Sequence, residues 1–156
     1  NSPGANHSNS GQISVSYGNL VVTGIGSFEN TATGTISGRS VTLTGQGSGS
    51  GATWTNAGDI TLASGGLSIS GYASIANSGS IDVSGGDVGI SGYTTLTNTG
   101  DMTIGSGRTL TVSGGTFEHQ PGATLTGEGT ISFNSSTVDV TGAYTTGTTP
   151  AVYLNS

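Results

Sequence analysis

The chain has no cysteine and no lysine. Without cysteine there are no disulfides and no thiolate metal sites, which fits a secreted protein that does not need such bonds. Arg39 and Arg108 are the only cations, against eight acidic residues and a net charge of −6. Nucleic-acid affinity comes mainly from Lys and Arg neutralising phosphates, so nucleic acid is excluded as a partner. The same shortage excludes electrostatic docking to anionic lipid. No apolar run approaches membrane-spanning length, and we expect no membrane insertion. No signal-peptide pattern opens the chain, which we read as mature or as a piece of something longer. Charged residues are only 6% of the sequence, too few for the highly charged kind of disorder.

Glycine is abundant, at 30 residues. With Ser and Thr beside it, this is also the composition of a flexible linker. The order of the residues argues otherwise. DITLASGGLSISGYASIANSG (59–79) is followed at once by SIDVSGGDVGISGYTTLTNTG (80–100). Ile60 and Leu62 recur as Ile81 and Val83, Leu67 and Ile69 as Val88 and Ile90, and Ile75 as Leu96. Tyr72 recurs as Tyr93, and Asn77-x-Gly79 as Asn98-x-Gly100. A linker has no reason to hold apolar residues at fixed offsets. A solenoid needs them there to stack one continuous core.

The pattern predicts an all-β chain: a single-stranded parallel β-helix, or β-solenoid, with three short strands per coil. Coils are about 21–22 residues long, and six to seven of them fit the sequence. Residues 1–11 read as a lead-in or cap, with His7 a solvated loop residue. Residues 12–142 form the solenoid, and 143–156 a last coil or cap containing a final strand from Ala151 to Leu154. The first coil takes Ile13 and Val15, then Leu20 and Val22, then Phe28, with a small bulge expected at Gly34. In the second, Gly45 to Gly51 (GQGSGSG) reads as an inserted loop. Loops that leave a scaffold often carry function, although a Gly/Ser run also suits a slack turn. In the fifth, Phe117 falls one residue out of register when Gln120 is given the Asn place. We therefore expect a bulge keeping Phe117 in and Glu118 out, since a one-residue slip exchanges inside for outside.

Three inward ladders follow: Ile36-Ile60-Ile81-Met102, Leu43-Ile69-Ile90-Val112 and Phe28-Trp54-Ile75-Leu96. Equivalent residues should stack about 4.8 Å apart. Asn30, Asn56, Asn77 and Asn98 recur at one corner, where stacked amides can bond to one another. The glycine after each is expected to supply a left-handed turn.

The unit N-x-G-x-I-x-V…L-x-I-x-G…L-x-N-x-G resembles the coils of right-handed parallel β-helices in bacterial surface adhesins, the filamentous-haemagglutinin-like proteins and autotransporter passengers. The resemblance covers about Gln12 to Val140. It implies a right-handed coil and a secreted or cell-surface bacterial protein, and it transfers no catalytic residue.

The chemistry-bearing residues are few. Glycoside hydrolysis needs two carboxylates flanking the bond, whereas the acids here are scattered. Asp59 and Asp101 share a column with Ser80 between them, and Asp82 lies one strand position along. These three are the only metal candidate, for calcium, although hard cations want six or more convergent oxygens. We expect no cofactor. Glu118 and His119 adjoin, but neighbours in an extended segment point opposite ways, and we read the pair as an exposed turn. The outward side of the second strand forms a flat hydroxyl surface that includes Thr42, Ser68, Thr109 and Thr111. It could meet a host or surface polysaccharide, another copy of the chain, or ice, for which Gly66, Asp87 and Gly89 spoil the lattice. Tyr72 and Tyr93 either cover a corner or add a sugar platform. Trp54 aligns with inward Ile75, which argues against an outward role. The sequence therefore favours a non-enzymatic structural or adhesive module that forms filaments or lies on a surface. A carbohydrate-binding module is the alternative, and a polysaccharide lyase or hydrolase fragment comes last.

Overall fold

The computed structural model describes residues 4–141 and 151–155, and these form a parallel β-solenoid of about seven turns. The expected boundary at Gly142 lies outside the described residues. Short runs rich in Val, Ile, Leu and Thr make the strands, and Gly/Ser/Asn turns separate them. The chain enters through β1 (His7–Asn9), β2 (Gln12–Ile25) and β3 (Phe28–Asn30). The next coil holds β4 (Thr35–Gly45) and β5 (Thr53–Asn56), joined by a single 3-10 turn at Ser48–Ser50. The two copied coils follow, as β6 (Asp59–Leu62), β7 (Leu67–Ser70) and β8 (Ser74–Asn77), then β9 (Ser80–Val83), β10 (Val88–Ser91) and β11 (Thr95–Asn98). Then come β12 (Asp101–Ile104), β13 (Thr109–Ser113) and β14 (Thr116–His119). The sixth set is β15 (Thr124–Thr126), β16 (Thr130–Asn134) and β17 (Thr137–Val140), and β18 (Ala151–Asn155) pairs with β16.

Third strands form one seven-stranded sheet, β1-β3-β5-β8-β11-β14-β17. First and second strands form the other two faces. Both belong to one eleven-stranded sheet, because β2 and β4 each continue through the corner that divides the faces elsewhere, with a register shift between Val15 and Asn19 and positive φ at Gly18 and Gly38. The separate first and second strands expected in coils one and two are thus fused.

All three inward ladders stand in register as expected. Ile60, Ile69, Ile75, Met102 and Val112 have no exposed surface. Burying each such side chain contributes about 1.5–3 kcal/mol, and only stacked neighbours can supply that burial. At the first coil, where β2 pairs with β4 alone, Ile13, Leu20 and Val22 are only partly buried.

The fifth coil departs from expectation. Leu96 pairs with Phe117, Thr97 with Glu118 and Asn98 with His119. There is no slip and no bulge; Phe117 is inward because it is in register. His119, not Gln120, takes the Asn place, and it is fully buried rather than exposed in a turn. The extra residues lie after it. Five positions separate His119 from Thr124 and Asn30 from Thr35, against three from Asn56 to Asp59. Coils one and five thus lengthen the same corner, and at Gly34 the expected bulge is a short turn closed by Gly34 N–H bonding to Thr31 C=O at 2.8 Å.

His7 is half-buried in β1, not a solvated loop residue, because residues 7–9 already pair with β3. The corner glycines also have a different cause from the one expected. None of Gly58, Gly79 and Gly100 has positive φ. A Cβ on Gly79 would stand 2.1 Å from the carbonyl oxygen of Gly58. These positions are glycine because adjacent coils touch there, backbone to backbone.

Candidate ligand-binding face

One corner of the solenoid carries a column of polar side chains, and its chemistry is closed. Asn9 Nδ2 donates to Asn30 Oδ1 at 2.8 Å, Asn30 to Asn56 at 2.8 Å, Asn56 to Asn77 at 2.8 Å and Asn77 to Asn98 at 2.9 Å. Asn98 Nδ2 then meets His119 Nδ1 at 3.2 Å. Since Asn98 Oδ1 already accepts from Asn77, its amide presents N–H to the imidazole, and His119 Nδ1 accepts. The second amide protons reach backbone carbonyls, such as Gly58 at 3.1 Å from Asn56. Sequence reasoning found four of these asparagines and missed Asn9 and His119. Spacing could have found both: 21 residues back from Asn30 is Asn9, followed by Ser10-Gly11, and 21 on from Asn98 is His119.

Tyr72 and Tyr93 turn out to be core residues, 0% and 6% exposed. Neither can form a sugar platform. Burial raises the Tyr72 phenol from 10.0 to about 12. Burial also raises the Tyr93 phenol. The inserted loop at Gly45 to Gly51 packs beside Tyr72: a Cβ on Gly45 would meet its ring at 2.9 Å. Trp54 is inward and buried, as its alignment implied.

Asp59, Asp82 and Asp101 do not assemble. Asp59, Ser80 and Asp101 are register partners in one outward column, and Asp82 pairs with Thr61 and Thr103 in the next. Asp101 is occupied by Thr124 Oγ1. Among the described residues no group of three potential metal-ligating side chains converges, so the calcium reading of Asp59, Asp82 and Asp101 fails on geometry. Glu118 faces outward and accepts from Thr97 Oγ1 at 3.3 Å, while His119 faces in. The two do not form an acid–base pair. Asp139 is the register partner of Glu118, a juxtaposition that sequence reasoning missed. Among the described residues neither has a cation at an adjacent register position. His7 and Glu29 line a shallow depression of about 260 Å³ near the first coils.

The hydroxyl face of the second strands is present as expected. Its central outward column runs Val21, Thr42, Ser68, Gly89, Thr111, Ser132, Tyr153. Thr109 pairs with Thr130 beside it. The hydroxyls of Thr42, Ser68, Thr109 and Thr111 make no hydrogen bond to protein among the described residues, so their bonding capacity faces outward. Glycine at 66 and 89 interrupts the surface and leaves a depression of about 290 Å³, walled by Ser40, Thr42, Ser68 and Asp87. Asp87 Oδ1 accepts from Thr109 N–H at 2.9 Å. The structure adds Tyr153, 56% exposed on this same column, which the sequence had placed in a last coil or cap without a role. Comparisons with protein-family models, with curated proteins and with solved structures find no match to this chain.

Proposed function

We propose that the chain is a non-enzymatic structural and adhesive module of a secreted or cell-surface bacterial protein. The observation that carries this reading is how the repeated chemistry is used. Every recurring apolar residue and every ladder amide is spent on stacking coils, whereas the recurring outward residues are small hydroxyls. Such a scaffold is stiff along its axis and presents flat faces of repeating spacing. The one pair of acids in register among the described residues, Glu118 and Asp139, has no arginine beside it, and the other acids are dispersed, so the charge clamp of a polysaccharide-cleaving site is missing. The likeness of its coil motif to surface adhesins supports the extracellular setting.

Self-association is the first partner to test. Strands at a solenoid end expose unpaired backbone groups. Here β2 leaves one side unpaired among the described residues, and Leu154 of β18 is exposed. Negative-stain electron microscopy of purified protein over a concentration series should show rods that join end to end. Strictly monodisperse monomers at the highest concentration would remove the filament version and leave surface adhesion.

A further inference from the structure

Resting on the adhesive reading above, we propose that the second-strand face binds a neutral polysaccharide laid along the solenoid axis, one sugar unit stacked on Tyr153 and another seated in the notch at Gly89. Two glycines make the notch, and they differ in cause. A Cβ on Gly66 would stand 2.4 Å from the carbonyl oxygen of Asp87, so that glycine is forced by coil contact. A Cβ on Gly89 would meet nothing within 4 Å, and its φ is not positive. Among the described residues no contact requires glycine at 89. Its flanking partners in the column, Ser68 and Thr111, both carry hydroxyls.

The walls define the occupant. Ser68 and Thr42 offer hydroxyls that can donate or accept, and Asp87 keeps one carboxylate oxygen free of protein hydrogen bonds. Paired hydroxyl and carboxylate groups suit the hydroxyls of a sugar. Among the described residues no cation lines the notch, which disfavours uronic or sulfated chains. A protein partner would want a desolvated apolar anchor there, and the notch walls are polar. Tyr153 supplies the apolar face that the notch lacks, an amphipathic ring suited to a pyranose face. It lies three rungs from Gly89 along the column, roughly 14 Å at strand spacing. A single extended oligosaccharide spans that distance, with Thr111 and Ser132 beneath it.

Retention of the purified chain on cellulose, chitin and an insoluble β-1,3-glucan tests this. Wild type should be retained on at least one of the three. Tyr153→Ala and Gly89→Thr should each weaken that retention about tenfold, while Thr95→Ala on the opposite sheet should not change it. Gly89→Thr should also melt no lower than wild type, which separates a filled notch from a damaged fold. Equal retention by wild type and both variants overturns the proposal but leaves an adhesive module. Loss in Tyr153→Ala alone overturns the seat at Gly89. Retention on none of the three overturns the inference outright. If rods still join end to end in the microscope, the structural reading survives it.

Discussion

Two side-chain columns run along this solenoid with the same repeat and opposite fates. The inward amide column, from Asn9 to His119, bonds to itself and to backbone carbonyls. In the outward hydroxyl column, Thr42, Ser68 and Thr111 leave their bonding capacity unused by the protein among the described residues. A buried polar group must find a partner within the fold, and a ladder of identical amides meets that demand with one residue type. An exposed hydroxyl has water as its partner and can exchange it for a ligand. Repetition by itself therefore does not mark a binding site.

Removing one rung should expose the contrast most sharply. Asn77→Ala strands the Asn56 amide and the Asn98 carbonyl in a buried corner, and should cost about 3 kcal/mol. Urea unfolding should show the midpoint fall. A small change from this substitution would mean that water replaces the rung and that the column is not closed. The two notch glycines should then separate. Gly66→Ala forces a Cβ against Asp87 and should cost about 2 kcal/mol, whereas Gly89→Thr should gain about 1 kcal/mol from reduced backbone freedom and better strand propensity. Thermal melting of the pair reads the difference directly, and equal losses would show that both glycines are structural.

Alkaline titration sharpens the inward side further. The folded Tyr72 phenol is raised from 10.0 to about 12 by burial. Between those values the unfolded chain loses this proton and the folded chain keeps it, so stability present below pH 10 falls as pH rises toward 12. Tyr72→Phe should be near wild type at neutral pH and lose less stability across that window; an unchanged alkaline slope would mean that the phenol is not held dry. The smallest effect belongs to Thr95→Ala, an outward position without a side-chain hydrogen bond among the described residues. Its stability should move by about 0.5 kcal/mol or less, and a larger loss in thermal melting would show that outward hydroxyls also hold the coils together.

Much of the fold was legible because strands and coils leave two superposed periods. Alternation gave inside and outside within a strand, and the 21-residue repeat gave register between coils. Reading failed where one period was trusted over the other. The Pro121-Gly122 turn drew Gln120 into the Asn place, although counting 21 from Asn98 reaches His119. The glycines at 58, 79 and 100 looked like turn residues, because a sequence does not show that another backbone passes 2.1–2.2 Å from where a Cβ would be. Tyr72 and Tyr93 follow a glycine at a corner, and only the packing showed that they turn inward.

By itself the sequence determined the architecture, the inward ladders and the absence of disulfides and thiolate metal sites, because each depends on residue type and spacing alone. Tertiary structure decided which repeated polar residues are closed and which are open. It put His119 on the end of the amide ladder, kept Asp59, Asp82 and Asp101 from converging, and brought Tyr153 onto the hydroxyl face. Those outcomes depend on which coil lies against which, a relation between residues about 21 positions apart that no local pattern contains.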